Sequence, residues 1–145
     1  MNALSQSLED YLEAAYELSR AEGFVRATRI SERLKVSKPS VSSAVKQLAA
    51  RGLLEQEPYG YIKLTPAGLK AGAEITGRHC LLKDFFMDIL GMDEAQAETD
   101  ACRAEHALSR GALARVQALA AHLRSPRRSA ELAALRKAIN REAAV

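Results

Sequence analysis

Ser37-Lys38-Pro39-Ser40-Val41-Ser42-Ser43-Ala44-Val45-Lys46-Gln47-Leu48 is the stretch that decides the fold of this chain. Ser37 reads as a helix N-cap, and Pro39 falls in the first turn, where a missing N–H costs nothing. The predicted helix runs from Lys38 to about Arg51, with Val41, Ala44, Val45 and Leu48 turned inward. Ser37, Lys38, Pro39, Ser40, Ser42, Ser43, Lys46 and Gln47 are left for the other surface. Short hydroxyls and long cations suit a DNA major groove, where hydroxyls meet base edges or phosphates and lysines neutralise phosphate.

Just upstream, Ala27-Thr28-Arg29-Ile30-Ser31-Glu32-Arg33-Leu34 predicts a short helix with Thr28 as its cap, and Lys35-Val36-Ser37 a tight turn. Two helices so joined form a helix-turn-helix. Downstream, Pro58-Tyr59-Gly60 marks a turn, and Ile62 and Leu64 alternate with Lys63 and Thr65 as a half-buried strand does. A β-hairpin after a helix-turn-helix is a wing, with Tyr59 and Lys63 at its tip facing the DNA backbone or minor groove. From Arg26 to Arg51 seven cations, Arg26 first, stand against Glu32 alone, so Arg26 joins the DNA-facing set.

Before this motif, Ser5 to Glu22 predicts a helix through Leu8, Tyr11, Leu12, Ala15, Tyr16 and Leu18, capped by Ser7 or Ser5 and ended by Gly23. Asp10 and Glu13 stand three apart on it. Taken alone they are solvated acids favoured by the helix dipole. After the wing, Thr65 caps a helix with Pro66 at its first position, running towards Leu82, Phe85 and Phe86 and carrying His79 and Cys80. Leu90-Gly91-Met92-Asp93 breaks it. A short helix is expected from Asp93, then one through Cys102, Glu105 and His106 to about Leu108, an interruption at Gly111, a helix from Ala112 to Leu123, and a last one from Ala130 to Ala144. Cys80, beside His79, is expected as a small core residue ahead of a spare ligand, and His122 at the surface.

The stretch Asp100-Ala101-Cys102-Arg103-Ala104-Glu105-His106 holds a thiol, a carboxylate and an imidazole at helical spacing. Such a set suits a divalent transition metal of borderline softness. Between Met92 and Glu105 five acids oppose Arg103, the reverse of the helix-turn-helix.

Composition agrees. Hydrophobic residues make up 48% and aromatics 5%, and Trp is absent; Ala and Leu dominate, which favours helices. No apolar run approaches the roughly 18 residues that span a bilayer, and no signal-peptide pattern opens the chain. A cytoplasmic protein without a membrane partner is expected, its two cysteines reduced. The fold expected is mainly α: a winged helix-turn-helix over 1–65, then an all-helical metal-binding and dimerisation domain over 66–145, with 66–80 as a linking helix.

Taken together, the sequence resembles the diphtheria-toxin-repressor and manganese-transport-regulator family of metal-dependent transcriptional repressors. The resemblance covers about residues 5–123. It rests on Leu8-Glu9-Asp10-Tyr11-Leu12-Glu13, Val36-Ser37-Lys38-Pro39-Ser40-Val41-Ser42, Leu64-Thr65-Pro66-Ala67-Gly68, Arg78-His79-Cys80-Leu81-Leu82 and Ala101-Cys102-Arg103-Ala104-Glu105-His106-Ala107-Leu108-Ser109, in that order. It implies a homodimer on double-stranded operator DNA, with metal ligands Asp10, Glu13, His79, Cys102, Glu105 and His106. It further implies that metal binding orders the first helix and sets the spacing of two winged helices. The ligand set is hybrid. Asp10 stands where the iron-responsive branch has Met, and Cys102 where the manganese-responsive branch has Glu. Lys83 and Glu98 occupy an acidic and a His position of the iron branch's second site. Thiolate with carboxylates places Fe²⁺ first and Mn²⁺ second.

Two other readings compete. A winged-helix regulator answering an organic ligand or oxidation at Cys102 needs an apolar pocket, for which aromatics are few. A metal hydrolase using His79, Glu105 and His106 lacks a nucleophile and an oxyanion loop. The chain is therefore expected not to be an enzyme and to have no small organic substrate.

Overall fold

A computed structural model describes residues 4–143. Residues 1–3 of the expected first domain, and Ala144 and Val145 at the end of the second, lie outside the described residues. The chain forms two compact units that divide between Thr76 and Gly77.

In the first unit, α1 (Gln6–Glu22) is capped by the Ser5 side chain, which accepts from Leu8 N–H, and is ended by Gly23 at φ 77°. The positive φ is what glycine permits at a helix C-terminus. Next come β1 (Val25–Arg26), α2 (Ala27–Leu34) and α3 (Lys38–Ala50). The turn between α2 and α3 is closed by Lys35 in the left-handed region, Val36 N–H donating to Ser31 O at 3.1 Å, and Ser31 Oγ donating to Val36 O at 2.6 Å. Ser37 caps α3 by accepting from Ser40 N–H, with Pro39 in the first turn. Then β2 (Leu54–Gln56), a 3₁₀ turn (Pro58–Gly60) and β3 (Tyr61–Leu64) build the wing.

The sheet has three strands in the order β1-β3-β2, all antiparallel, with Val25 opposite Ile62 and Leu54 opposite Leu64. The strand β1 is an addition to the expected hairpin. It also moves the start of α2: Arg26, held extended by pairing with Tyr61, is the N-cap in place of Thr28. One core unites Leu12, Ala15, Ile30, Val41, Val45, Leu48, Leu54, Ile62 and Ile75. Three helices, Ile75 of the helix that follows the wing and the inner face of a small sheet thus bury their apolar residues together, as a winged helix-turn-helix requires.

The helix α4 (Pro66–Asp88) begins in the first unit, with Thr65 Oγ1 accepting from Gly68 N–H at 3.0 Å. Gly91 at φ 73° follows its end. The second unit continues through α5 (Glu94–Ala104), α6 (Arg110–Leu123), a 3₁₀ turn (Pro126–Arg128) and α7 (Ser129–Ala143). Its core is two small groups: Leu82, Ala101 and Leu113, and Ile89, Ala120 and Leu123. Two sequence expectations change here. The two helices expected between Asp93 and Leu108 are one, because Asp93 caps it (Gln96 N–H donates to Asp93 Oδ1, 3.0 Å) and Ala97 and Ala101 form a continuous buried stripe. Gly111 does not interrupt. Ser109 caps α6 through Ala112 N–H, and the glycine sits inside its first turn. Among the described residues, no helix is long and apolar enough to cross a membrane.

Candidate metal centre and nucleic-acid interface

Glu105 is the anomaly of the second unit: a carboxylate with 0% exposure in a small helical core. It ends α5, with its N–H donating to Ala101 O at 3.0 Å. Burial of a charge is costly unless it is compensated. The hydrogen-bonded partner is the imidazole of His79, and a second imidazole, His106, stands by the other carboxylate oxygen. His79 Nδ1 on α4 lies 2.9 Å from Glu105 Oε2, and His106 Nε2 lies 3.1 Å from Glu105 Oε1. Both rings are largely shielded, at 13% and 5% side-chain exposure. The hydrogen bond to Glu105 raises the His79 pKa to about 9, against burial, with the Glu105 and Glu98 charges adding to the rise. In the metal-free protein at neutral pH, His79 is therefore an imidazolium, and its proton holds the place beside Glu105 that suits a cation.

A divalent metal fits this arrangement. Imidazole nitrogens and a carboxylate are ligands for Fe²⁺, Mn²⁺, Co²⁺ and Zn²⁺, and a buried carboxylate between two imidazoles already calls for positive charge.

The other expected ligands stand as follows. Asp10 and Glu13 lie one turn apart on α1 of the first unit, both half-buried. Cys102 is exposed on α5. The buried stripe of α5 follows 97 and 101 to Glu105, and His106 lies beside Glu105 just past the helix end. Cys80 is exposed, not a core residue, because the inward face of α4 there is taken by Leu82 and Ile75. His122 is exposed, as expected.

Glu98 and Lys83 were noted in the sequence only as departures from a family pattern. In the structure Glu98 Oε1 lies 3.2 Å from His79 Nε2, and Glu98 Oε2 lies 2.9 Å from Lys83 Nζ. Lys83 also reaches Glu94 at 3.1 Å. The ammonium holds the Glu98 pKa below the usual carboxylate range, and Glu98 and Glu94 hold that of Lys83 above its ordinary value. The signal was present in spacing: His79 and Lys83 are four apart on one helix, Glu94 and Glu98 four apart on another.

On the first unit, Ser37, Lys38, Pro39, Ser40, Ser42, Ser43 and Lys46 are all exposed. Ser37 and Ser40 share a hydrogen bond of 2.8 Å, so part of the hydroxyl capacity is used in the cap. Arg26 packs on the wing, donating to Tyr61 Oη at 2.5 Å with its guanidinium 4.6 Å from the ring centroid. Lys63 pairs with Glu57 at 3.8 Å. Tyr59 projects from the wing tip with 95% exposure at φ 66°.

Comparison with known proteins covers both units. The family model described as the iron dependent repressor N-terminal DNA binding domain matches residues 3–62. The model described as the iron dependent repressor metal binding and dimerisation domain matches residues 65–130. An uncharacterised HTH-type transcriptional regulator of Methanocaldococcus jannaschii is 35% identical over 79% of this chain and 92% of its own length. The HTH-type transcriptional regulator MntR of Bacillus pumilus is 36% identical over 90% of this chain and 91% of its own. A manganese-dependent transcriptional repressor solved in complex with manganese superposes with a TM-score of 0.70, at 29% identity, over 77% of this chain and 51% of that one. This chain spans about half the length of several metal-dependent regulators of known structure that it matches.

Proposed function

This chain belongs to the iron-dependent repressor family, and from that premise we propose that it is a metal-activated transcriptional repressor that binds operator DNA as a homodimer. The observation that carries the reading is Glu105, fully buried between His79 and His106 in a unit matched by a metal-binding and dimerisation model. The metal is held by Asp10, Glu13, His79, Cys102, Glu105 and His106. The exposed face of α3, with Arg26 and the wing residues Tyr59 and Lys63, meets the DNA. Fe²⁺ is the first choice of metal and Mn²⁺ the second. The Cys102 thiolate disfavours hard Mn²⁺, while the carboxylates favour Mn²⁺ or Fe²⁺. The protein works in the cytoplasm, on genes of metal homeostasis, and has no catalytic residues.

The test is an anaerobic titration against operator DNA selected from a random pool, with Fe²⁺, Mn²⁺, Co²⁺ and Zn²⁺ compared at one salt concentration, because phosphate contacts make affinity salt-dependent. DNA affinity rises with Fe²⁺ or Mn²⁺ and is lost on adding chelator. Cys102→Ala narrows the preference for Fe²⁺ over Mn²⁺. Binding that ignores both metal and chelator overturns the proposal.

A further inference from the structure

His79 is gripped on both sides of its ring. Nδ1 faces the fully buried Glu105 at 2.9 Å, and Nε2 faces Glu98 at 3.2 Å. The two carboxylates differ in setting, since the Glu98 side chain is 52% exposed and its second oxygen is engaged by Lys83 at 2.9 Å. A histidine that binds a metal uses one ring nitrogen, and the other keeps a proton that needs an acceptor; supplying one fixes the tautomer and the ring orientation.

We propose that Glu98 is a positioning residue for His79: it accepts the Nε2 proton, so that the Nδ1 lone pair is presented beside Glu105, and Lys83 anchors Glu98 for that task. The inference rests on the reading of His79 as a metal ligand. A bare Glu98–Lys83 pair at the surface would be an ordinary exposed ion pair of little consequence. What sets it apart is that the same carboxylate spends its other oxygen on the imidazole. The backbone enforces the arrangement. His79 and Lys83 share one face of α4, Glu94 and Glu98 one face of α5, and Lys83 bridges both acids. The ammonium also offsets the Glu98 charge, so Glu98 serves the ring and does not draw a second divalent ion to itself.

The experiment uses the full chain and Co²⁺ alone, whose visible absorption reports ligand geometry. Affinity and stoichiometry are measured for wild type, Glu98→Ala, Glu98→Gln and Lys83→Met. Nitrogen-15 spectra of the Zn²⁺-loaded proteins report which ring nitrogen of His79 carries the proton. Glu98→Ala weakens Co²⁺ binding about 10- to 100-fold, the usual range for losing such a partner, alters the Co²⁺ spectrum and mixes the His79 tautomers. Glu98→Gln, whose amide oxygen still accepts, recovers most of the affinity. Lys83→Met, at the outer end of the network, gives a smaller loss and covers the case in which Glu98→Ala does not fold. Wild-type affinity and spectrum in both Glu98→Ala and Lys83→Met overturn the inference while leaving the ligand reading intact. Two Co²⁺ per wild-type chain falling to one in Glu98→Ala also overturns it, because Glu98 would then be a ligand itself. A wild-type chain that binds no Co²⁺ and no Zn²⁺ refutes the ligand reading instead.

Discussion

Replacing Gly68 by Ala separates two opposed effects on one helix. In an exposed helix interior, Ala is favoured over Gly by about 1 kcal/mol. At Gly68 an added Cβ would stand 1.9 Å from the Leu53 carbonyl oxygen and 2.9 Å from its carbon. No rotamer relieves this, because both obstacles are backbone. An ordinary contact requires a separation of more than an ångström beyond that, so α4 and the Leu53 segment must move apart. That carbonyl also accepts from Thr65 N–H at 3.1 Å, and the Thr65 hydroxyl donates to the neighbouring Gly52 O at 2.6 Å. Each hydrogen bond is worth about 1 kcal/mol net, and forced overpacking adds about 1–3 kcal/mol. Sterics therefore win, and Gly68→Ala destabilises the first unit by roughly 2–4 kcal/mol after the helix gain is deducted. Gly77, on the same helix, has nothing within 4 Å of a built Cβ, so Gly77→Ala stabilises by up to about 1 kcal/mol. The assay is urea unfolding, followed by tyrosine fluorescence for Gly68→Ala and by helical circular dichroism for Gly77→Ala, whose residue opens the second unit. Tyr11, Tyr16, Tyr59 and Tyr61 all precede Thr76 and Trp is absent, so the fluorescence signal belongs to the first unit. Gly68→Ala also weakens operator binding, since Leu53 leads into β2 of the wing. If the two alanine variants shift the urea midpoint in the same direction, the close approach at Gly68 does not govern this helix.

Two further outcomes follow from single residues. The His79 pKa, raised to about 9, means that its interaction with Glu105 stabilises the metal-free protein fully below the unfolded value of about 6.5 and is lost as pH rises through about 9. The urea midpoint of metal-free wild type, read by helical circular dichroism, should fall between pH 7 and 10, and Glu105→Gln should remove that fall; a flat wild-type profile refutes the assignment. Tyr59, at φ 66°, occupies a backbone region that costs a non-glycine residue about 1 kcal/mol or more. Tyr59→Gly should raise stability yet weaken operator binding, and unchanged DNA affinity would remove Tyr59 from the interface.

Much of the first unit was legible because its signals are local. Ser5, Ser37 and Thr65 cap helices where a hydroxyl precedes an apolar period, and Gly23 ends one. The strand β1 was not legible. It is two residues long, and what makes it a strand is pairing with Tyr61 and Ile62 thirty-five or more positions away. Its presence then displaced the cap of α2 from Thr28 to Arg26. In the second unit the weak signals were glycines and alanines. Gly111 reads as a breaker, yet a serine cap two residues earlier overrides it.

The metal centre shows the same limit in its chemistry. Residue types and spacing pointed to Cys102, Glu105 and His106 as one helical face, and the structure sets Glu105 and His106 side by side with Cys102 exposed. Helical period alone cannot say which of the positions 101 to 106 faces the core. The alanines at 97 and 101 decide that, and they carry Glu105 inward with them. Once Glu105 is buried, the surrounding residues have constrained roles. His79 compensates its charge through the hydrogen bond to Oε2, and the second nitrogen of His79 faces Glu98. Glu98 in turn is held by Lys83. A chain of four side chains thus leads from one buried carboxylate to the surface. Substitution at the exposed end, Lys83→Met, tests whether that chain transmits anything to the metal.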